Sequence, residues 1–203
     1  DCPGSDDFVG AALTALNVTD TALLLINGAN GHEVGTQNHF RYTEKLGKPV
    51  IFLMNQLDDE KCDYNAVFEQ FQSIYGPKVV PVQYPLETGP NFNTLIDVIL
   101  MKKLTWGADG GAPTIEDIPA EEMERAAEMH KALVEAAAEN DEQLMEKFFE
   151  TEQLTEDEMR EGIRKGLITR SIFPMFCVCA SKNMGVGRLM EFLGNVVPFV
   201  DEM

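Results

Sequence analysis

The sequence predicts an α/β fold: a parallel sheet flanked by helices on both faces and interrupted by an inserted α+β subdomain. Three observations carry this. Short, nearly all-apolar runs at 21–26, 50–54 and 174–180 read as strands buried on both faces. Segments with apolar residues at helical spacing separate the first two and follow each of them, the alternation of a doubly wound sheet. A long, acidic, helical stretch then delays the last strand.

Taken in order, residues 6–15 begin a helix, with Phe8, Val9, Ala12, Leu13 and Leu16 at helical spacing. The strand at 21–26 follows. Residues 36–46 read as a helix that Gly47 stops, and Pro49 opens the strand at 50–54. Residues 64–75 repeat the helical pattern, with Val67, Phe68, Phe71 and Ile74 on one side and Gly76 and Pro77 as the stop. Residues 1–77 and 171–203 are expected to form one body, with 78–170 as the insertion. Within it, 79–82 and 95–104 are apolar or alternating runs around a turn at 89–93, read as short strands or a strand–helix–strand piece. Trp106 leads into a loose run at 107–113. Residues 119–165 are helical and acidic: Pro119 suits a first turn, Glu121 and Glu122 suit the positive end of the helix dipole, and Thr155 with Glu158 fits a capping box. The strand at 174–180 runs into a polar loop at 181–185. The helix at 186–197 offers Leu189, Phe192, Leu193 and Val196 to the core.

Charge narrows the function. The 203 residues carry 34 acids and 16 bases, a net charge of −18. Of this, 18 acids and 7 bases fall between positions 109 and 170. So acidic a chain has no broad footprint for nucleic acid or anionic lipid. The acidic segment is expected to stay solvated or to meet a basic protein. The longest aliphatic run, 22–26, is five residues, far below the roughly 20 that span a bilayer. No signal peptide opens the chain, which begins at Asp1, so a processed or truncated chain is expected. Cys2, Cys62, Cys177 and Cys179 show no paired spacing and read as free thiols of a reducing cytoplasm. His32, His39 and His130 lack the mutual spacing of a metal face. The ten methionines read as core filler.

Three loops carry chemistry, at the strand ends where open parallel sheets gather ligands. The first, Asp1-Cys2-Pro3-Gly4, fits the Asp-x-x-Gly loop of P-loop GTPases. There the Asp reaches magnesium through water and the Gly offers its backbone N–H to the γ-phosphate. The second, Asn55-Gln56-Leu57-Asp58, approximates the Asn-Lys-x-Asp guanine loop. The Asp58 carboxylate would accept from guanine N1–H and the exocyclic amine, donors that adenine does not pair in this way. Asn55 would bond N7 and brace the neighbouring loop. Gln56 is shorter than the usual Lys and covers the base less well. The third, Cys179-Ala180-Ser181, sits where such GTPases have Ser-Ala-Lys or Ser-Ala-Leu, whose alanine N–H bonds guanine O6.

With these residues the chain resembles the bacterial elongation factor G family of translation GTPases. The resemblance rests on residues 1–9, Gly31-His32-Glu33-Val34-Gly35-Thr36-Gln37, 52–58, Met101-Lys102-Lys103, Trp106, the acidic run 137–147, and Lys182-Asn183-Met184-Gly185-Val186. It covers nearly the whole chain, including the insertion. Release and tetracycline-protection factors share such an insertion but fit less well, and they remain an alternative. The resemblance implies an incomplete P-loop GTPase-type sheet, with 1–77 and 171–203 as a partial GTP-binding domain. It implies GTP or GDP with magnesium in the full-length protein, and Asp1 as an indirect metal contact. It implies action on the ribosome during translocation, with the stalk protein docking on the insertion. No P-loop precedes Asp1, so this chain alone is expected to bind no nucleotide and not to hydrolyse GTP. Ser5 stands at the position of the family's catalytic His and is too short to orient the attacking water, so impaired hydrolysis is expected. That makes a nucleotide-gated ribosome binder with little GTPase activity the second alternative. The strand at 21–26 is expected to be an exposed apolar edge through which two copies pair.

Overall fold

The computed structural model describes residues 2–198. A parallel four-stranded sheet forms the body, in the spatial order β1 (Ala22–Asn27), β2 (Val50–Asn55), β8 (Phe173–Cys177), β3 (Val79–Pro81). A second, antiparallel sheet belongs to the insertion, in the order β4 (Gln83–Pro85), β5 (Thr94–Asp97), β6 (Lys102–Thr105), β7 (Thr114–Glu116). The helices are α1 (Val9–Val18), α2 (Val34–Lys45), α3 (Tyr64–Tyr75), α4 (Ala120–Ala138), α5 (Glu142–Thr151), α6 (Glu156–Thr169) and α7 (Val186–Asn195).

The parallel sheet forms where the apolar runs are continuous. In β2, Val50, Ile51, Phe52 and Met54 have no exposed surface, because both faces are covered. On one face Phe52 and Phe173 meet Phe40 of α2 and Phe71 and Tyr75 of α3; the Phe40–Tyr75 centroids are 4.3 Å apart and those of Phe52 and Phe71 5.0 Å. Such aromatic pairs add about 0.5–1.5 kcal/mol each beyond their burial. On the other face Phe176 packs edge-on against Phe192 of α7 at 4.7 Å. α3 starts where Asp63 accepts the Ala66 N–H and stops at Gly76, at φ 80°.

Several boundaries differ from the sequence expectation. β3 adds a fourth strand to the parallel sheet, although residues from 78 on read as insertion; Val79 and Val80 are buried, and Phe173 N–H donates to the Lys78 carbonyl. The run 95–104 is a hairpin: the Asp97 side chain accepts the Leu100 N–H and Met101 turns at φ 51°. β7 emerges just after the loose run. The strand expected to reach 180 ends at Cys177, and Ala180–Lys182 form a 3-10 turn. Phe8 is half exposed, and a cavity lies between α1 and β1.

The acidic stretch divides into three helices. Asp141 caps α5 by accepting from the N–H groups of Gln143 and Leu144, and Glu152 ends that helix in the left-handed region. α6 opens on the full Thr155–Glu158 capping box. α4 and α6 cross closely: a Cβ on Gly162 would lie 2.5 Å from the Ala137 carbonyl oxygen. Lys147 Nζ reaches both Glu158 oxygens at 2.6 Å, joining α5 to α6. Hydrogen bonds from Lys147 and then Thr155 hold the Glu158 carboxyl down to about 2. Its folded pKa is depressed, so its contribution is fully present above the ordinary 4.5 and is lost as the pH falls through about 2. Glu158→Gln is therefore expected to lower the urea midpoint at pH 7, and the gap to the wild type should close between about pH 4.5 and 2.

Candidate functional site

β2 and β8 are neighbours, so the loops after them leave the same rim of the sheet side by side. Asn55 closes β2, and its Oδ1 accepts the Ala180 N–H at 3.0 Å. That bond ties the second sequence loop to the third. Gln56 turns in the left-handed region at φ 62°, and its Oε1 accepts from Asn27 Nδ2 at 2.7 Å. Its side chain is thus bonded to the end of β1. Asn27 Oδ1 in turn accepts the Ala29 N–H at 2.8 Å, and Gly28 N–H donates to the Asn55 carbonyl at 2.9 Å. Leu57 is fully buried and anchors the loop.

Asp58 faces the third loop. Lys182 Nζ stands 3.3 Å from its Oδ2. Desolvation pushes the Asp58 carboxyl up, but hydrogen bonds from the Cys179 thiol and from Lys182 outweigh it and hold the group below its ordinary value. The Cys179 thiol is pushed up, mainly by burial, and its sulfur lies 3.3 Å from Ser181 Oγ. Cys179 is fully buried, whereas Ala180 and Ser181 are exposed at the rim.

The insertion supports both loops. Gly89 N–H donates to the Leu57 carbonyl at 2.8 Å, and Thr88 Oγ1 to the Cys62 carbonyl at 2.8 Å. On the other side Trp106 Nε1 donates to the Gly111 carbonyl at 3.0 Å, fixing the segment that lies on Lys182. Gly110, at φ +67°, touches it so closely that a Cβ would sit 2.1 Å from the Lys182 carbonyl oxygen.

The first loop lies apart. Cys2 and Gly4 line a cavity of about 700 Å3 bounded by Ala12 and Leu16 of α1, the outer edge of β1, and Gly35 and His39 of α2. Pro3, Gly4 and Ser5 are exposed, and the Ser5 carbonyl accepts the Phe8 N–H at 2.9 Å. Asp1 lies outside the described residues. The second and third loops meet through the Ala180–Asn55 bond, while the first precedes α1 and lines the cavity beside β1. Motif reading assigned no role to Asn27, Lys182 or Gly110. Lys182 stood directly beside the third loop; Asn27 and Gly110 gave no signal beyond closing an apolar run and lying in a glycine pair.

Asp58 is an ionised carboxylate with two acceptor oxygens, 23% exposed, set beside exposed loop amides. That donor and acceptor set fits a guanine. Among the described residues no group of three or more His, Cys, Asp or Glu is placed to hold a metal ion, and no helix is long and apolar enough to cross a membrane.

A parallel α/β sheet with two such loops on adjacent strands, and an inserted α+β subdomain between them, is a GTPase-type domain. The chain belongs to the Elongation factor Tu GTP binding domain family, which it matches over residues 1–199, and so is a translation GTPase domain. It is also similar to a crystal structure of a protein from Thermus thermophilus, with a TM-score of 0.88 and 30% identity. The match covers 98% of this chain, insertion included, and 29% of that one, so the chain spans less than a third of its relative's length.

Proposed function

We propose that this chain supplies the base-recognising part of a guanine-nucleotide site in an elongation factor G-type translation GTPase that promotes movement of tRNA and mRNA on the ribosome. One observation carries the reading: the 3.0 Å bond from Ala180 N–H to Asn55 Oδ1 joins the two loops and sets Asp58 beside them. Asp58 accepts from guanine N1–H and the exocyclic amine. Asn55 braces the third loop and presents its amide toward N7. Guanine O6 competes with Asn55 for the Ala180 N–H. Gln56, bonded to Asn27, adds little stacking. GTP with its magnesium supplies the phosphoanhydride bond whose cleavage drives the cycle. The residues read toward the phosphates are Asp1 and Gly4 of the first loop. The acidic surface of α4–α6 supports docking of a ribosomal partner such as the stalk protein. The open outer edge of β1, with Leu25 61% exposed, supports pairing of two copies along that strand, which light scattering reads as a dimer mass.

Competition for a fluorescent GDP on the full-length protein tests the reading. GDP should displace the probe at least about 100-fold better than ADP. Equal displacement contradicts it.

Ser5 favours a second reading, a nucleotide-gated ribosome binder that hydrolyses GTP slowly. Its side chain is short and exposed. Ser5→His is then expected to raise ribosome-stimulated single-turnover hydrolysis roughly 100-fold. An unchanged rate returns the protein to the ordinary translocase.

A further inference from the structure

Lys182 closes the 3-10 turn that carries the third loop. Its backbone is pinned on both sides: its N–H donates to the Cys179 carbonyl at 3.2 Å, and its own carbonyl is packed against Gly110. From this fixed backbone its ammonium reaches Asp58 Oδ2 at 3.3 Å, with the two side chains only 36% and 23% exposed. The Asp58 loop is strongly anionic: Asp59, Glu60 and Asp63 follow, against one Lys61. The Cys179 thiol and Lys182 are the side chains bonded to the Asp58 carboxyl.

We propose that Lys182 is a positioning residue for base recognition: it fixes the rotation of the Asp58 carboxylate, so that both oxygens present free lone pairs to adjacent N–H donors of a purine. A carboxylate has about four acceptor positions, so the ammonium, the Cys179 thiol and two base N–H groups bind together. Lys182 acts through Asp58, and the role rests on the guanine-site reading above.

The test uses the full-length protein carrying Lys182→Ala, Lys182→Gln and Lys182→Arg, each alone and with Asp58→Asn. Titration of the Asp58 carboxyl carbon by NMR is expected to move upward in the Ala and Gln variants and to return in the Arg variant. N-methylanthraniloyl-GDP is expected to bind about 3- to 5-fold more weakly to the Ala and Gln variants, as befits a partly exposed ion pair. In the Asp58→Asn background, probed with the matching xanthine nucleotide, the Lys182 substitutions should change nothing, since the charge they act on is gone. An unmoved Asp58 titration, undiminished GDP binding, or an equal loss in the Asp58→Asn background overturns the proposal. A wild type that binds GDP while the Lys182 variants bind as well sinks only the role of Lys182. A wild type that binds no GDP sinks the site reading and the role with it.

Discussion

Asp58→Asn is expected to abolish guanine preference and to create xanthine preference. The Asp58 carboxylate presents two acceptors. An asparagine presents one acceptor and one donor pair. Against guanine, whichever way the amide turns, one N–H faces another N–H, and a buried donor goes unmet. Against xanthine, the C2 carbonyl accepts from Nδ2 while Oδ1 accepts N1–H. The two donors left facing each other, at about 2 kcal/mol for each, weaken guanine nucleotide roughly 10³-fold. The fold should be unaffected, because the side chain is partly exposed and its volume is conserved. Competition of GDP and XDP for a fluorescent nucleotide checks the swap. Loss of both ligands to the same degree would mean that Asp58 holds the loop without reading the base.

Arg188→Met is expected to destabilise the protein by about 3–5 kcal/mol. Asp97 has no exposed surface, and its Oδ2 accepts from Arg188 Nε at 2.8 Å. Its carboxylate also accepts the Leu100 N–H at 2.9 Å and Gln83 Nε2 at 3.1 Å. Burial alone would lower the Arg188 pKa, but Asp97 and then Glu191 raise it above the ordinary value. Removing the guanidinium leaves a buried carboxylate unpaired, which costs far more than the pair itself contributes. Asp97→Asn added to Arg188→Met is therefore expected to recover part of the loss. The pair has a structural consequence as well. Asp97 ends β5 of the insertion, and Arg188 sits on α7 of the body, so the contact fastens the subdomain that supports Leu57 and Lys182. Urea midpoints for the single and double variants at pH 7 read the effect.

These two contacts show what a linear reading reaches. β2 was legible because five consecutive apolar residues need cover on both faces. α3 was legible residue for residue, since Gly76 and Pro77 stop an amphipathic run. The capping box was legible because its two residues are local. The two loops of the candidate site were legible as motifs. Their joining through Asn55 and Ala180 follows from β2 and β8 being neighbours, which no local pattern states. The Asp97–Arg188 pair spans 91 positions and leaves no periodic trace. β7 was missed because all three of its residues are exposed, so it has no buried face to signal. It exists through pairing with β6, where Lys103 meets Glu116 at 3.0 Å. β3 looked like insertion because its neighbour, β8, lies far along the chain.

The most direct test is a nitrogen–proton NMR titration of the full-length protein with GDP and, separately, with ADP. GDP should shift the amides of Asn55, Asp58, Ala180 and Ser181 together along one saturating curve, while ADP leaves them in place. Shifts confined to Leu23 and Leu25 at the β1 edge, or equal responses to both nucleotides, would contradict a purine slot between the loops after β2 and β8.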